Sequence, residues 1–481
     1  MKTNSLLLAG PAVFIACGSI LPILVGCTPA AAWAVASVLW MLVWWIAEVL
    51  PIAVTSLLPI LLLPATGVLP MDAVTTAYGS PYVYLFLGGF LIALALEKWE
   101  VHRRVAFAIL SQTGTSGRNI VLGFMLATAF LSMWISNTAT ALMMLPIALS
   151  ISAHMPSQRT TMEPALLLAT AYAASIGGVA TLVGTPPNVA MAAILSESFG
   201  IEVSFFGWMA VAVPFALALL AVTHLLLTRI VFRISGEEDA TAREHIQEMG
   251  ARLGPWKAPE RRVIAVFCGT ALLWISGSFI RSATGFPIQD TWVAILGAVV
   301  LFLLPSEGAT GKRLLDWEDA RQLPWEILLL FGGGLAAAEA LSTTGVLEGI
   351  ATYFAGDSAM PWWGFGLALV VAALFLTEVM SNLALAVVLV PIVAELAPGL
   401  GLHPLTLAVP VALASSCAFM LPMGTPPNAI VFGSGRVRMG QMVKAGFWLN
   451  IAACILAFVL MVFVLEPGAS TWIDSHGNLA D

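Results

Sequence analysis

The chain has 481 residues, of which 59% are hydrophobic and only 10% charged, a composition that excludes a water-soluble enzyme or binding module and indicates a polytopic membrane protein. Its formal net charge of −7 decides little, because in such proteins the placement of charge matters and the total does not. The five cysteines, Cys17, Cys27, Cys268, Cys417 and Cys454, are odd in number and lie in or beside apolar runs, so neither a disulfide framework nor a zinc site is indicated.

From the N-terminus, apolar runs of spanning length lie near residues 6–27, 30–47, 49–64, 81–97, 164–183, 205–230, 262–282, 290–305, 325–341, 404–422 and 441–465. They predict an all-α fold with eleven transmembrane helices. The first run has a basic start and a Leu-Val-Gly-Cys ending that could pass for a lipoprotein signal, but another apolar run follows almost at once, so a retained helix is expected. Two further stretches, 119–151 and 362–398, are each interrupted by Ser-Asn and are predicted to be re-entrant helical hairpins.

Lys and Arg test this arrangement independently, since cytoplasmic loops should carry them. With Lys2 inside, all of the 20 basic residues except Arg281 fall on the cytoplasmic side. The predicted exterior loops 65–80, 196–204, 342–361 and 399–403 and the tail after Leu465 hold acids such as Glu197, Glu348, Asp357 and Asp474 but no Lys or Arg. A full crossing at either Ser-Asn stretch would scramble the pattern.

The count divides the chain into an extra N-terminal helix (1–29), a first repeat (30–234), a cytoplasmic linker (235–259), a second repeat (260–466) and an exterior tail (467–481). Five helices and one hairpin per repeat make an odd number of crossings, which inverts the second repeat relative to the first. Local identity supports the duplication. Phe-Leu-Ser-Met-Trp-Ile-Ser-Asn at 130–137 pairs with Phe-Leu-Thr-Glu-Val-Met-Ser-Asn at 375–382, Leu-Gly-Gly-Phe-Leu at 87–91 with Phe-Gly-Gly-Gly-Leu at 331–335, and Gly-Thr-Pro-Pro-Asn occurs at 184–188 and 424–428.

Inverted repeats with broken helices mark secondary transporters, whose sites lie where the breaks meet. Pro186-Pro187 and Pro426-Pro427 should end one half-helix and start the next, because Pro lacks an N–H and suits a first helical turn. The freed carbonyls suit a cation and the new N-termini an anion. Ser, Asn and Thr at the hairpin tips 136–138 and 381–383 are N-cap types whose remaining oxygens can face a cavity. Hard oxygen donors without thiols or imidazoles suit sodium.

A lone Ser-Asn-Thr in a membrane helix usually bonds the backbone one turn back and serves packing; duplication in register with the breaks favours a site. Glu378 is readable as a proton-linked carboxylate or, equally, as an acid paired with a neighbouring hairpin or capping a backbone turn, and Glu339 and Glu395 have similar bland readings. His224 reads as a satisfied residue near a helix end. There is no His-Glu-x-x-His, nucleophile elbow or phosphate-binding loop, so neither an embedded enzyme nor an ATP-driven pump is indicated. A channel is separated from a carrier by saturable, slow, sodium-dependent uptake.

At these tips and breaks the chain resembles the divalent anion:sodium symporter family, over nearly its whole length. The Lys and Arg pattern puts the N-terminus in the cytoplasm and the C-terminus outside; the resemblance implies an elevator-type homodimer in the inner (plasma) membrane. It would carry succinate, malate, fumarate or related anions with sodium as coupling ion, without other cofactor or nucleic acid. It further implies one sodium among Ser132, Ser136, Asn137 and Gly184, and a second among Thr377, Ser381, Asn382 and Gly424. The substrate would touch Ser136, Asn137, Thr138, Thr185, Ser381, Asn382, Leu383 and Thr425. Leu383 departs from the family, where many relatives have Thr, and bears on which anion is carried; the hydroxyls of Ser132 and Thr377 favour a sodium symporter over a sodium-independent exchanger.

Overall fold

The computed structural model describes residues 2–47, 49–155, 159–237, 240–306, 312–355 and 361–468. The named elements among these residues are all helical. The first half runs α1 (Lys2–Val25), α2 (Pro29–Ala47), α3 (Ile52–Thr55), α4 (Leu58–Ala65), α5 (Met71–Tyr78), α6 (Pro81–Lys98), α7 (Val101–Leu110), α8 (Gly117–Ser132), α9 (Asn137–Ala153), α10 (Arg159–Gly178), α11 (Pro186–Phe199) and α12 (Phe205–Leu225), which closes in a π-helical turn at Leu226–Val231. After a linker helix, α13 (Ala240–Ala251), come α14 (Ala258–Thr284), α15 (Asp290–Leu303), α16 (Trp317–Ala320), α17 (Trp325–Thr343), α18 (Val346–Ala355), α19 (Trp362–Leu376), α20 (Asn382–Gly399), α21 (Pro404–Ser415), α22 (Pro426–Gly433) and α23 (Met439–Leu460). The last again closes in a π-helical turn, Met461–Leu465. From α6 and from α17 onward the two halves therefore follow the same order: long helix, short helix, hairpin, helix, break, short helix, long helix with a π turn.

Eight of the described helices, some merged with a neighbour, are long and apolar enough to cross a membrane, and six apolar stretches are shorter. The single helix expected at 49–64 is instead two, α3 and α4. Pro59 enters α4 without an N–H to give back to α3, and the intervening Ser56 carbonyl is bonded by the Tyr78 hydroxyl. Gly333 also packs there so closely that a Cβ would sit 2.3 Å from that carbonyl. The stretches read as exterior loops at 65–80 and 342–361 contain α5 and α18. An amphipathic helix not expected from hydropathy, α7, buries Val101, His102, Ala106, Phe107 and Leu110 and carries the half-buried Arg103 and Arg104.

Helix α1 rests on α2 through Phe14, whose ring lies 4.9 Å from Trp33 and 5.4 Å from Trp40; its remaining surface, with Leu8, Ile23 and Leu24, is exposed and apolar. The hairpin arms pack less on each other than on the helix that follows them: α8 and α9 on α10, α19 and α20 on α21. Gly177 permits the first of these approaches, since a Cβ there would meet the Ala129 carbonyl at 2.2 Å.

Polar contacts between distant helix ends sort into two sets. One joins Ser80 to Glu197 (2.5 Å), Thr291 to the Pro81 carbonyl (3.0 Å), the Phe205 N–H to Asp290 (2.8 Å) and Arg281 to Glu202 (3.5 Å). The other joins Lys98 to Asp319 (2.6 Å), Arg104 to Glu260 (2.8 Å) and Arg118 to the Ile234 carbonyl (2.9 Å). His224, read as a satisfied residue, faces the Arg118 carbonyl through Nε2 at 3.0 Å.

Candidate functional site

Each hairpin turns through a few residues, and a side chain crosses each tip. At the first, the Ser132 hydroxyl donates to Asn137 Oδ1 at 2.6 Å. At the second, Thr377 donates to Asn382 Oδ1 at 2.7 Å. Both pairs are separated by five residues, so the same turn is built twice. Capping differs from expectation. Ser136 does cap α9, accepting from the Ala139 N–H at 3.2 Å, but Ser381, in the equivalent place before α20, makes no side-chain cap bond. The two asparagines do not cap; they are the first helical residues, and their amides reach back across the tip.

The breaks fall where the paired prolines predicted. Helix α10 stops at Gly178 and α11 starts at Pro186; α21 stops at Ser415 and α22 starts at Pro426. The last residue of each motif holds the break together. Asn188 Nδ2 donates to the carbonyls of Gly178 (3.2 Å), Val179 (3.2 Å) and Thr181 (2.7 Å), and Asn428 Nδ2 to those of Ala418 and Leu421, both at 3.0 Å. The spacings of ten and seven residues back are identical in both halves. Both asparagines are fully buried with Oδ1 unpartnered. The sequence reading gave them no role, although the duplicated final Asn of the motif was the signal.

Tip and break interlock within each half. Gly178 lies against the Asn137 amide, so that a Cβ would meet Oδ1 at 2.4 Å, and Gly184 lies on the Gly178 carbonyl at the same distance. Thr181 donates to the Met133 carbonyl at 2.5 Å. In the second half Thr377 Oγ1 also lies 2.5 Å from the Ser415 carbonyl. The halves then exchange elements: α11, after the first break, packs on α20 of the second hairpin, and α22, after the second break, packs on α9 and α10. Four helix N-termini, at Asn137, Pro186, Asn382 and Pro426, thus belong to one cluster of hairpins and breaks.

Of the residues singled out from sequence, Ser136, Asn137, Thr138, Ser381 and Asn382 are half-buried, whereas Ser132, Thr185, Thr377, Leu383 and Thr425 are buried. Thr425 caps α22 by accepting from the Asn428 N–H at 3.4 Å; Thr185 makes no such bond before α11. Oxygen outnumbers hydrogen here. The one Thr377 hydroxyl proton faces two acceptors, Asn382 Oδ1 and the Ser415 carbonyl, and buried acceptors that lack hydrogens suit a hard cation. Among the described residues, no hydrogen bond or ion pair links a Lys or Arg to a tip or break residue.

Glu378 has the role of a capping acid. It is 3% exposed, and its oxygens accept from the N–H groups of Phe419 (2.8 Å), Met420 (2.9 Å) and Leu421 (2.9 Å) and from Asn450 Nδ2 of α23 (2.8 Å). Because α21 ends early, these N–H groups lie outside a helix and need such an acceptor.

Paired hairpins with polar tips and paired proline-started breaks, in repeated order, define a secondary transporter. Residues 42–412 match the family model described as "CitMHS: Citrate transporter", and the chain belongs to this family of divalent anion:sodium symporter type, as the tip and break motifs implied. It is 39% identical to the sodium-dependent dicarboxylate transporter SdcS of Staphylococcus saprophyticus over 444 residues, covering 90% of this chain and 85% of that protein. The SdcS of Staphylococcus aureus strain USA300 is also 39% identical, over 450 residues, with 90% and 86% covered. Among solved structures the fold is similar to Neisseria gonorrhoeae MtrF (TM-score 0.60, 12% identity, 84% of this chain and 85% of that one). It is likewise similar to the Alcanivorax borkumensis YdaH transporter (TM-score 0.56, 13% identity, 83% and 87%).

Proposed function

We propose that this transporter is a sodium-coupled symporter of divalent organic anions, C4-dicarboxylates such as succinate, malate and fumarate foremost. The observation that carries the reading is the pairing of two oxygen-rich tip-and-break sites with the lack of any Lys or Arg bonded to them among the described residues. A dianion there must be neutralised by something, and helix N-termini supply only about half a charge each. Sodium ions held by Ser132, Ser136, Asn137 and Gly184 and by Thr377, Ser381, Asn382 and Gly424 would do this. The anion would then lie between the tips, against Ser136, Asn137, Thr138, Ser381, Asn382 and Leu383, with Thr185 and Thr425 from the breaks. The name of the SdcS relatives, sodium-dependent dicarboxylate transporter, supports the same assignment.

In this reading the eleven crossings and two re-entrant hairpins form an inverted repeat, divided at 30–234 and 260–466 around the 235–259 linker, with 1–29 as the extra helix. The two sets of helix-end contacts agree with the sides that the Lys and Arg pattern assigns, Arg281 and Glu202 meeting outside. The N-terminus is then cytoplasmic and the tail 467–481, which lies outside the described residues beyond 468, exterior. The chain acts as a homodimer in the plasma membrane, with the hairpin–break cluster moving as the elevator.

Uptake of labelled succinate, malate and citrate into proteoliposomes tests this. Accumulation is expected only with an inward sodium gradient. Equal uptake or exchange in potassium-only buffer would overturn sodium coupling and point to an exchanger.

A further inference from the structure

We propose that Glu378 makes the two cation sites unequal: its carboxylate gives the second site a fixed negative charge that the first lacks, so sodium fills the second site first. The inference rests on the sodium sites proposed above. Glu378 directly follows Thr377, whose hydroxyl serves Asn382, and its Oε2 faces Gly424, where a Cβ would meet it at 3.1 Å. The same register in the first half, set by the Ser132–Asn137 pair, puts Met133 in the corresponding place. One site therefore has a carboxylate at its edge where the other half carries the uncharged Met133.

A carboxylate is not the general way of holding such a break. The first break is held without one, by the Thr181 hydroxyl on the Met133 carbonyl, the Asn188 amide and the Trp208 indole on the Val179 carbonyl (2.9 Å). Four N–H donors converge on the Glu378 oxygens, the contacts that a carboxylate accepts. No Lys or Arg pairs with it among the described residues. A buried charge without a counter-charge is costly, and a cation bound beside Thr377 supplies the counter-charge.

The test is a sodium titration of the purified full chain without anion, with choline as the control ion, read as a shift of the thermal unfolding midpoint. Glu378→Gln is expected to raise the half-saturating sodium concentration by about ten-fold or more, while anion affinity at saturating sodium changes little. Asn450→Leu removes one hydrogen bond from the carboxylate but keeps its charge, and is expected to leave the sodium response near that of the wild type. An unchanged sodium midpoint in Glu378→Gln, or an equal shift in Asn450→Leu, overturns the proposal. Should Glu378→Gln fail to fold, hydroxyl deletions decide: Thr377→Ala should abolish the response at low sodium and Ser132→Ala only that at high sodium, and equal effects refute the order. A wild type that responds no differently to sodium and choline would instead defeat the sodium sites themselves.

Discussion

The two tip-and-break sites share their oxygens and differ in what holds them. In both, a hydroxyl meets an asparagine five residues on, and a second asparagine bonds carbonyls ten and seven residues back. Around this shared frame the first half keeps α10 helical to Gly178 and fastens the break with neutral groups. The second half ends α21 at Ser415, three residues earlier than that spacing would give, and fastens the N–H groups of Phe419, Met420 and Leu421 with Glu378, to which Asn450 in turn donates. The geometry of the tip and break oxygens is thus what the duplicated sequence repeats, while the fastening of the break diverges and, in diverging, brings in a carboxylic acid.

The sharpest way to break the comparison is to remove its common element. Asn137→Ala and Asn382→Ala should each reduce sodium-driven uptake to background while the protein still inserts and folds, because each deletes an acceptor from a cation site rather than a cap. Surface expression and unfolding temperature measured beside uptake separate the two outcomes. Normal uptake in one variant alone would remove that tip from the transport site and end the functional equivalence of the halves.

A smaller difference is expected from Asn188→Leu and Asn428→Leu. The first removes three bonds to break carbonyls and the second two; Val179 keeps the Trp208 indole, Thr181 the Gly184 N–H and Leu421 the Gly424 N–H, so the Gly178 and Ala418 carbonyls are the ones left unpaired, at about 1–3 kcal/mol each. The second break also retains its three N–H bonds to Glu378. Asn188→Leu should therefore lower the unfolding temperature more than Asn428→Leu. The reverse order would show that the carboxylate does not share the load.

Much of this frame was legible in the sequence, because a proline pair after Gly-Thr has one strong local meaning and its repetition fixed the register. The amphipathic helix α7 was not legible: ten residues with Arg103 and Arg104 among them give no apolar run. Nor was the break between α3 and α4, which depends on Tyr78 and Gly333 approaching from elsewhere in the chain. Glu378 could be narrowed to two readings but not decided, since its donors lie 41 to 72 residues away. Ser381 shows the converse failure, a residue of the right type at the right place whose side chain does not cap.

Leu383 sharpens the comparison at the substrate itself. It is buried, where its counterpart Thr138 is half-buried, so the second tip lacks a hydroxyl that the first retains. Leu383→Thr should improve succinate affinity relative to a matched monoanion by about two- to ten-fold, the worth of one hydrogen bond. An unchanged ratio in competition binding would mean that residue 383 does not face the anion.

The smallest expected effect lies where the first hairpin is tied to the linker. His154, just after α9, stacks on His245 of α13 with ring centroids 3.6 Å apart. Ser150 lies 2.8 Å from His245 Nε2, and Thr241 donates to the His154 carbonyl at 2.9 Å. Among the described residues the second hairpin shows no such tie at the end of α20, where the nearby His403 caps α21 instead. Burial and the neighbouring His154 hold His245 below its ordinary value of 6.5, with Glu248 opposing and Arg252 adding to the shift. A histidine whose folded pKa is depressed stabilises the contact fully above its unfolded value, and that contribution is lost as pH falls toward the lower folded value. The charge that His245 then gains sits beside Arg252 and weakens the stack. Acidification from about pH 7.5 to about 5.5 should raise amide exchange in α13 while leaving α20 unaffected, and His245→Phe, which keeps the stack without that charge, should flatten the response. Equal pH dependence in the wild type and in His245→Phe would show that the histidine pair is packing alone, and that the two hairpins do not differ in how acid reaches them.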